Sequence, residues 1–458
     1  MKKTMRFLSM TALALVGAMM TGCSSDDNFI DEPQQPENKS KVVTLTTTVS
    51  LDGGATTRTL SETGVKTFAD GDKMAVIYKN NSDETVKAEG TLTSGAGTNA
   101  ATFTFTLTDP KKTEDVTYIY PAAMAGATDV DYSKLNNQNG TLTTLGSNYD
   151  LCTKSGAWVG DNLPTLTLEN QLAILAITAK DDATSGEITG SITKLTVSDG
   201  TNTYTVNRSA AAGPIYVAIR PTSSATINVD ALSGTKSYSK TLNSKTYSAN
   251  NGYSVSWRMT KYLPEVDLST LGSGTYSVTK DVKITGTPTN NLRIQYDVDN
   301  CEVTLDNVNS AGTKNPYING QGKNVNVKLK GTSRLEWIGT SKNVTIGEAE
   351  AGGTLILNCS NNAISGSTVT INGGTVKAKT TDDDCATVYA NNLVINGGNV
   401  YLAGGAYESA VDGTANVSGS VTLYGWNGSS WGAWDGDAYP PQQYASTDNI
   451  ANPSTWTW

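Results

Sequence analysis

The chain contains no histidine. That removes the usual general base, the usual proton shuttle and the commonest metal-binding side chain. Charge is scarce too: Asp, Glu, Lys and Arg make up 17% of its 458 residues, with a net charge of −9. No strong basic patch stands out, which disfavours nucleic acid and electrostatic binding to anionic lipid. Cysteine is limited to five. Cys152, Cys301, Cys359 and Cys385 show no CxxC spacing, which argues against zinc. They are open to pairing in an exported protein, or to service as small core residues. No long amphipathic helix can be traced. What is plentiful is Thr, Ser, Gly and Asn, the composition of an extracellular β protein with polar faces and tight turns.

The N-terminus is a targeting segment. Lys2, Lys3 and Arg6 precede an uncharged, mostly apolar run from Phe7 to Met20. That run falls short of the roughly 20 residues a membrane-spanning helix needs. Met20-Thr21-Gly22-Cys23 resembles a lipobox, so 1–22 is expected to be removed and Cys23 to carry lipid. The mature chain would then be anchored to the outer membrane without spanning it. Ser24, Ser25, Asp26 and Asp27 resemble the acidic export signal of surface lipoproteins in the Bacteroidota. Segment 23–40 is rich in Pro, Gln, Glu, Asn and Lys and reads as a flexible tether.

From residue 41 the apolar segments are short. Val43, Leu45, Thr47, Val49 and Leu51 lie two apart, as one face of a strand requires. Gly71-Asp72 turns the chain into Val76-Ile77-Tyr78. Phe103, Phe105 and Leu107 alternate again, and Val116–Tyr120 is stopped by Pro121. Leu172–Ile177 is continuously apolar and predicts a doubly buried strand. Ile192–Val197, Pro214–Arg220, Ala225–Val229 and Tyr253–Trp257 follow at strand spacing. The expectation is two tandem β-sandwich domains, 41–165 and 166–261.

The order of these features resembles the fimbrillin family of Bacteroidota pilus subunits and minor fimbrial lipoproteins. It rests on the lipobox, Thr57-Arg58-Thr59, the Gly71-Asp72 turn, Tyr120-Pro121 and the segments from Leu172 and Pro214, and covers roughly 1–260. The resemblance implies that a first strand, here Val43–Leu51, is removable after cleavage at Arg58. The vacated groove would accept a strand from another pilus subunit. Arg58 is equally open to being a solvent-facing loop residue.

The last third is repetitive. Val369–Val376 aligns with Leu393–Val400 at an offset of 24, and Val417 lies another 24 on. Val303 and Val327 share that spacing, while Val344 precedes Val369 by 25. Each unit reads as two strands of three or four residues, too small for a core of its own. Stacked units of this period predict a right-handed parallel β-helix over 262–425, with Asn372 and Asn396 as a ladder satisfying buried backbone. Thr370–Gly425 is similar to Gly-Gly-Thr-Val repeats of carbohydrate-binding β-helix proteins, some of which hold calcium at acidic turns. Asp382, Asp383 and Asp384 would be such a turn, with Glu408 and Asp412 one coil on; an exposed polar turn is the plainer reading.

The tail, 426–458, is aromatic. Trp426, Trp431, Trp434 and Tyr439 suit either sugar stacking or a cap over the end of the helix. No repeated Asp pair or Lys/Arg constellation suggests catalysis. The expected function is a cell-surface fimbrial subunit, a minor or tip adhesin, meeting host or bacterial glycans or proteins. The alternative is a non-fimbrial surface lipoprotein that binds glycans.

Overall fold

The computed structural model describes residues 41–52, 67–310, 315–404 and 410–417, and the short strands 424–426, 431–433 and 444–446. Its first seven strands are β1 (Val42–Leu51), β2 (Lys73–Lys79), β3 (Thr85–Ser94), β4 (Ala100–Thr108), β5 (Val116–Tyr120), β6 (Cys152–Gly156) and β7 (Leu166–Asn170). They pair in the order β1-β4-β3-β2-β5-β6-β7 and close on themselves. The expected pair of sheets is therefore a single closed barrel. Leu166–Asn170 belongs to it, because β7 pairs with both β1 and β6. Its interior holds Phe68, Met74, Phe103, Phe105, Leu107 and Tyr118, all buried.

The second sheet contains β8 (Ala173–Asp181), β9 (Ile192–Ser198), β10 (Thr203–Asn207), β11 (Ile215–Ile219), β12 (Thr222–Ser233), β13 (Lys236–Tyr247) and β14 (Asn251–Tyr262). Their order is β10-β9-β12-β13-β14-β8-β11. As its apolar run predicts, β8 is interior, parallel to β14 on one side and antiparallel to β11 on the other. The core of this sheet also takes in Ala75, Ile77 and Ile119 from the outer face of the barrel.

The two edges of that sheet, β10 and β11, are joined by Gln138, which is 2% exposed. Its backbone N–H donates to Thr205 (2.8 Å) and its carbonyl accepts from Asn207 N–H (2.9 Å), as a strand residue would beside β10. Its side-chain amide then behaves as a second peptide. Nε2 donates to the Ala218 carbonyl (2.8 Å) and Oε1 accepts from Ala218 N–H (2.9 Å). One residue thus satisfies backbone groups on both edges.

From Glu265 onward every strand pair up to Val417 is parallel. The chain coils so that three ladders form, not the two strands per unit expected. One ladder buries a column of Val303, Val327, Ile346, Ile371 and Ile395 in mutual register. The next buries Ile294, Ile318, Ile338, Ile364, Val388 and Val411. The third stacks Leu355, Val376 and Val400. The offset of 24 holds for Val369 with Leu393. It fails at the next coil, where Leu393 meets Ala415 and Ile395 meets Val417 after a register shift.

Asn396 Nδ2 donates to Asn372 Oδ1 at 2.8 Å, so the asparagine ladder is present. Both side chains are exposed, so the ladder ties turns together at the surface and does not serve buried backbone. Gly374 and Gly398 follow at φ +85° and +91°. A Cβ on Gly398 would run into the Gly374 carbonyl oxygen, which explains the glycine pairs. Outside the first ladder, Lys283 bridges Glu265 (2.7 Å) and Asp306 (3.9 Å), and Lys330 bridges Asp306 (3.7 Å) and Glu350 (2.8 Å).

Cys152, Cys301 and Cys359 are buried, and Cys385 is partly exposed. Among the described residues no helix is long and apolar enough to cross a membrane.

Gly398→Ala should destabilise the coil by about 1–3 kcal/mol, read as a lower urea midpoint at unchanged slope. The coil should also weaken in acid. The Lys283 ammonium holds the Glu265 carboxyl below its ordinary range, and hydrogen bonds from Ser269, Gln295 and Asn324 do the same for Asp267, Asp297 and Asp299. Folded-state values below the unfolded ones add stability above the ordinary carboxylate range, lost as pH falls through the folded values. Circular dichroism melts should show a lower transition at pH 3 than at pH 7.

Candidate functional site

The site with the clearest physical logic is the seam that holds β1. Antiparallel pairing with β4 runs its length, from Val42 opposite Thr108 to Ser50 opposite Ala100. Parallel pairing with β7 covers only Val49, Leu51 and the intervening Ser50, opposite Leu166, Leu168 and Thr167. Beyond it, Asp52 N–H donates to the Leu168 carbonyl at 3.0 Å. Over Val42–Thr47 no ladder pairs the backbone with the second edge among the described residues.

Side chains hold that half instead. Thr47 Oγ1 donates to the Pro164 carbonyl at 2.8 Å, and Tyr118 Oη reaches the same oxygen at 3.0 Å. Burial pushes the Tyr118 phenol well above its ordinary range, so it stays a donor. Along β1 the inner positions become more buried toward its C-terminal end. Val43 and Leu45 are half-buried, while Thr47, Val49 and Leu51 are buried. Val42 is 59% exposed, and Val159, in the loop before Pro164, is 63% exposed. Lys112 pairs with Asp161 in that loop (2.5 Å) and lies over the Trp158 ring (5.8 Å).

Withdrawing β1 would uncover Val49, Leu51 and the inward faces of Phe103, Phe105 and Leu107. A fully buried Val, Leu or Phe is worth about 1.5–3 kcal/mol each. It would also leave the β4 edge without a partner, and an open edge pairs with whatever extended chain fits it.

The other anticipated residues fare differently. Cys23, Arg58, Trp434 and Tyr439 lie outside the described residues. Trp426 and Trp431 face each other in register within a small antiparallel hairpin. Strand 444–446 pairs with both that hairpin and Asn399–Ala403, so the tail backbone covers the end of the third ladder, as a cap would. Asp382, Asp383 and Asp384 sit in an exposed turn, where Asp382 Oδ1 accepts the Asp384 N–H at 3.0 Å. Among the described residues no group of three His, Cys, Asp or Glu side chains is placed to hold a metal ion. Glu408 lies outside the described residues, and Asp412 pairs with Tyr389 on the second ladder.

No known protein-family model matches the chain, and no curated protein matches it. Solved structures with similar folds include a fimbrial assembly protein from Parabacteroides distasonis (9% identity, TM-score 0.28, covering 47% of this chain and 91% of that one). A candidate cell adhesion protein from Bacteroides uniformis is 17% identical at TM-score 0.28, covering 50% of this chain and 98% of that one. Another from Bacteroides fragilis is 13% identical at TM-score 0.27, covering 46% and 91%. Likeness this distant assigns no activity, and the reading below rests on the seam.

Protein cut between Leu51 and Phe68 and stripped of β1 should bind a synthetic Val42–Leu51 peptide, measured by fluorescence anisotropy. Intact protein should bind it far more weakly. Placing Asp at the position of Val49 in the peptide should reduce affinity by about tenfold or more, the cost of burying an unpaired charge.

Proposed function

We propose that the chain is a cell-surface fimbrial subunit that joins its neighbours by strand addition and carries the coil as its binding module. The observation behind this reading is β1: a strand next to the tether, bound along one edge, fastened along the other only at its far end, with alternate side chains filling the barrel. One cut in the segment after it, at Arg58, would free it. The groove left would demand an extended segment with the same alternation, which another subunit is able to supply.

The coil favours one position in the filament. A repeating shaft subunit donates a terminal strand, and here a long coil and its aromatic tail follow the second sheet. A minor or tip-located subunit suits that arrangement. Lipid on Cys23 would carry the chain to the outer membrane and its surface, and host or bacterial glycans or proteins would be the partners of the coil. Calcium at Asp382–Asp384 belongs to this reading only if Glu408 or another carboxylate completes the shell, since calcium takes six to eight oxygens.

Immunogold electron microscopy on intact cells, with antibody against the coil, should label filament ends. Label spread over the surface without filaments would sink the pilus reading and leave the non-fimbrial glycan-binding lipoprotein. Replacing Cys23 with Ala should abolish incorporation of labelled palmitate and release the protein from the membrane fraction.

A further inference from the structure

The outer side of the second ladder carries a group of side chains that the strand-addition reading does not use. Arg293 stands opposite Tyr317 in register. Trp337 follows Tyr317 on the next coil, because Ile318 pairs with Ile338. The Tyr317 and Trp337 rings stack with centroids 4.9 Å apart and planes inclined by 19°. Gly339 makes room for the indole: a Cβ there would lie 2.9 Å from a Trp337 ring carbon. Arg293 Nε donates to the Tyr317 hydroxyl at 3.0 Å, which fixes the guanidinium beside the aromatic pair. No carboxylate lies within ion-pair reach of Arg293 among the described residues, and its two Nη groups have no partner there.

The contrast with the first ladder is chemical. There, Lys283 and Lys330 are neutralised by Glu265, Asp306 and Glu350. Here, a cation is held rigidly with its fork unspent. A guanidinium fork matches a carboxylate in two parallel hydrogen bonds. Flat aromatic rings offer an apolar face to the C–H side of a sugar. Asn319, whose Oδ1 is taken by Gln321 N–H at 3.0 Å, retains an amide donor on the neighbouring column. Tyr389, 57% exposed, adds a third aromatic two coils beyond Trp337, on the order of 10 Å along the axis.

We propose that this strip binds an acidic oligosaccharide: a pyranose carboxylate in the Arg293 fork, and sugar rings running along the coil past Trp337 toward Tyr389. The proposal rests on the coil being the binding module, and it gives that module a ligand class.

The test uses soluble full-length protein with Cys23→Ala, titrated by calorimetry. The probes are oligogalacturonate and 3′-sialyllactose as two sources of the carboxylate, with maltooligosaccharide and lactose as neutral controls. At least one acidic probe should bind about tenfold or more tightly than its neutral control, and less tightly in high salt. Arg293→Gln should remove that preference with an unchanged melting curve, and Tyr389→Ala should weaken binding several-fold. Trp337→Ala should abolish it; if that variant does not fold, the Arg293 and Tyr389 variants decide. Equal affinity for acidic and neutral probes, no binding of any probe, or an Arg293→Gln variant that binds as before would each overturn the proposal. Immunogold labelling of an Arg293→Gln strain separates the two readings. Labelled filament ends with lost glycan binding support both, whereas surface label without filaments, with binding retained in the parent protein, defeats the pilus reading alone.

Discussion

Backbone groups at a sheet edge must find partners, and everything distinctive about this protein follows from how its edges are closed. In the barrel β1 closes the seam, along its whole length against β4 and only at its far end against β7. The second sheet would have two open edges, but Gln138 bridges them with one peptide and one side-chain amide. The coil passes each edge to the next turn, and its third ladder ends against an antiparallel strand at 444–446. Of these closures, the Gln138 bridge makes all four of its backbone bonds, whereas β1 lacks a backbone partner on one side over Val42–Thr47. The difference makes the β1 closure the weaker of the two.

The coil solves the same problem by repetition. Parallel strands stacked in register put like residues above like, so an inward isoleucine column is self-consistent over many turns. Outside, the same stacking would pile like charges together. The first ladder avoids that by alternating sign, with Glu265, Lys283, Asp306, Lys330 and Glu350 linked in sequence. Exposed pairs of this kind contribute little individually, and their role is to keep the correct register from being penalised.

Much of the fold was legible because it rests on period. Alternation marked β1 and β4, the apolar run marked β8, and the offset of 24 marked the coil. The second ladder was missed because strands as short as Tyr317–Asn319 and Ile338–Gly339 are too brief for a period to register. Strand β13, KSYSKTLNSKTY, shows few apolar positions and is held by its hairpin with β12, a tertiary cause invisible to periodicity. The β7 boundary depended on which strand it paired with, and no local signal carries that. Gln138 and Arg293 looked like ordinary polar residues, since their roles come from neighbours distant in sequence.

The outer face of the barrel packs into the core of the second sheet, so neither can be lengthened without repacking the other. The coil carries no such obligation. Inserting or deleting one repeat changes its height by about 4.8 Å and leaves both ends as they were. The repeat number therefore works as a ruler, and the length of the coil can be tuned by duplication alone, at a place where neither the barrel nor the second sheet would register the change.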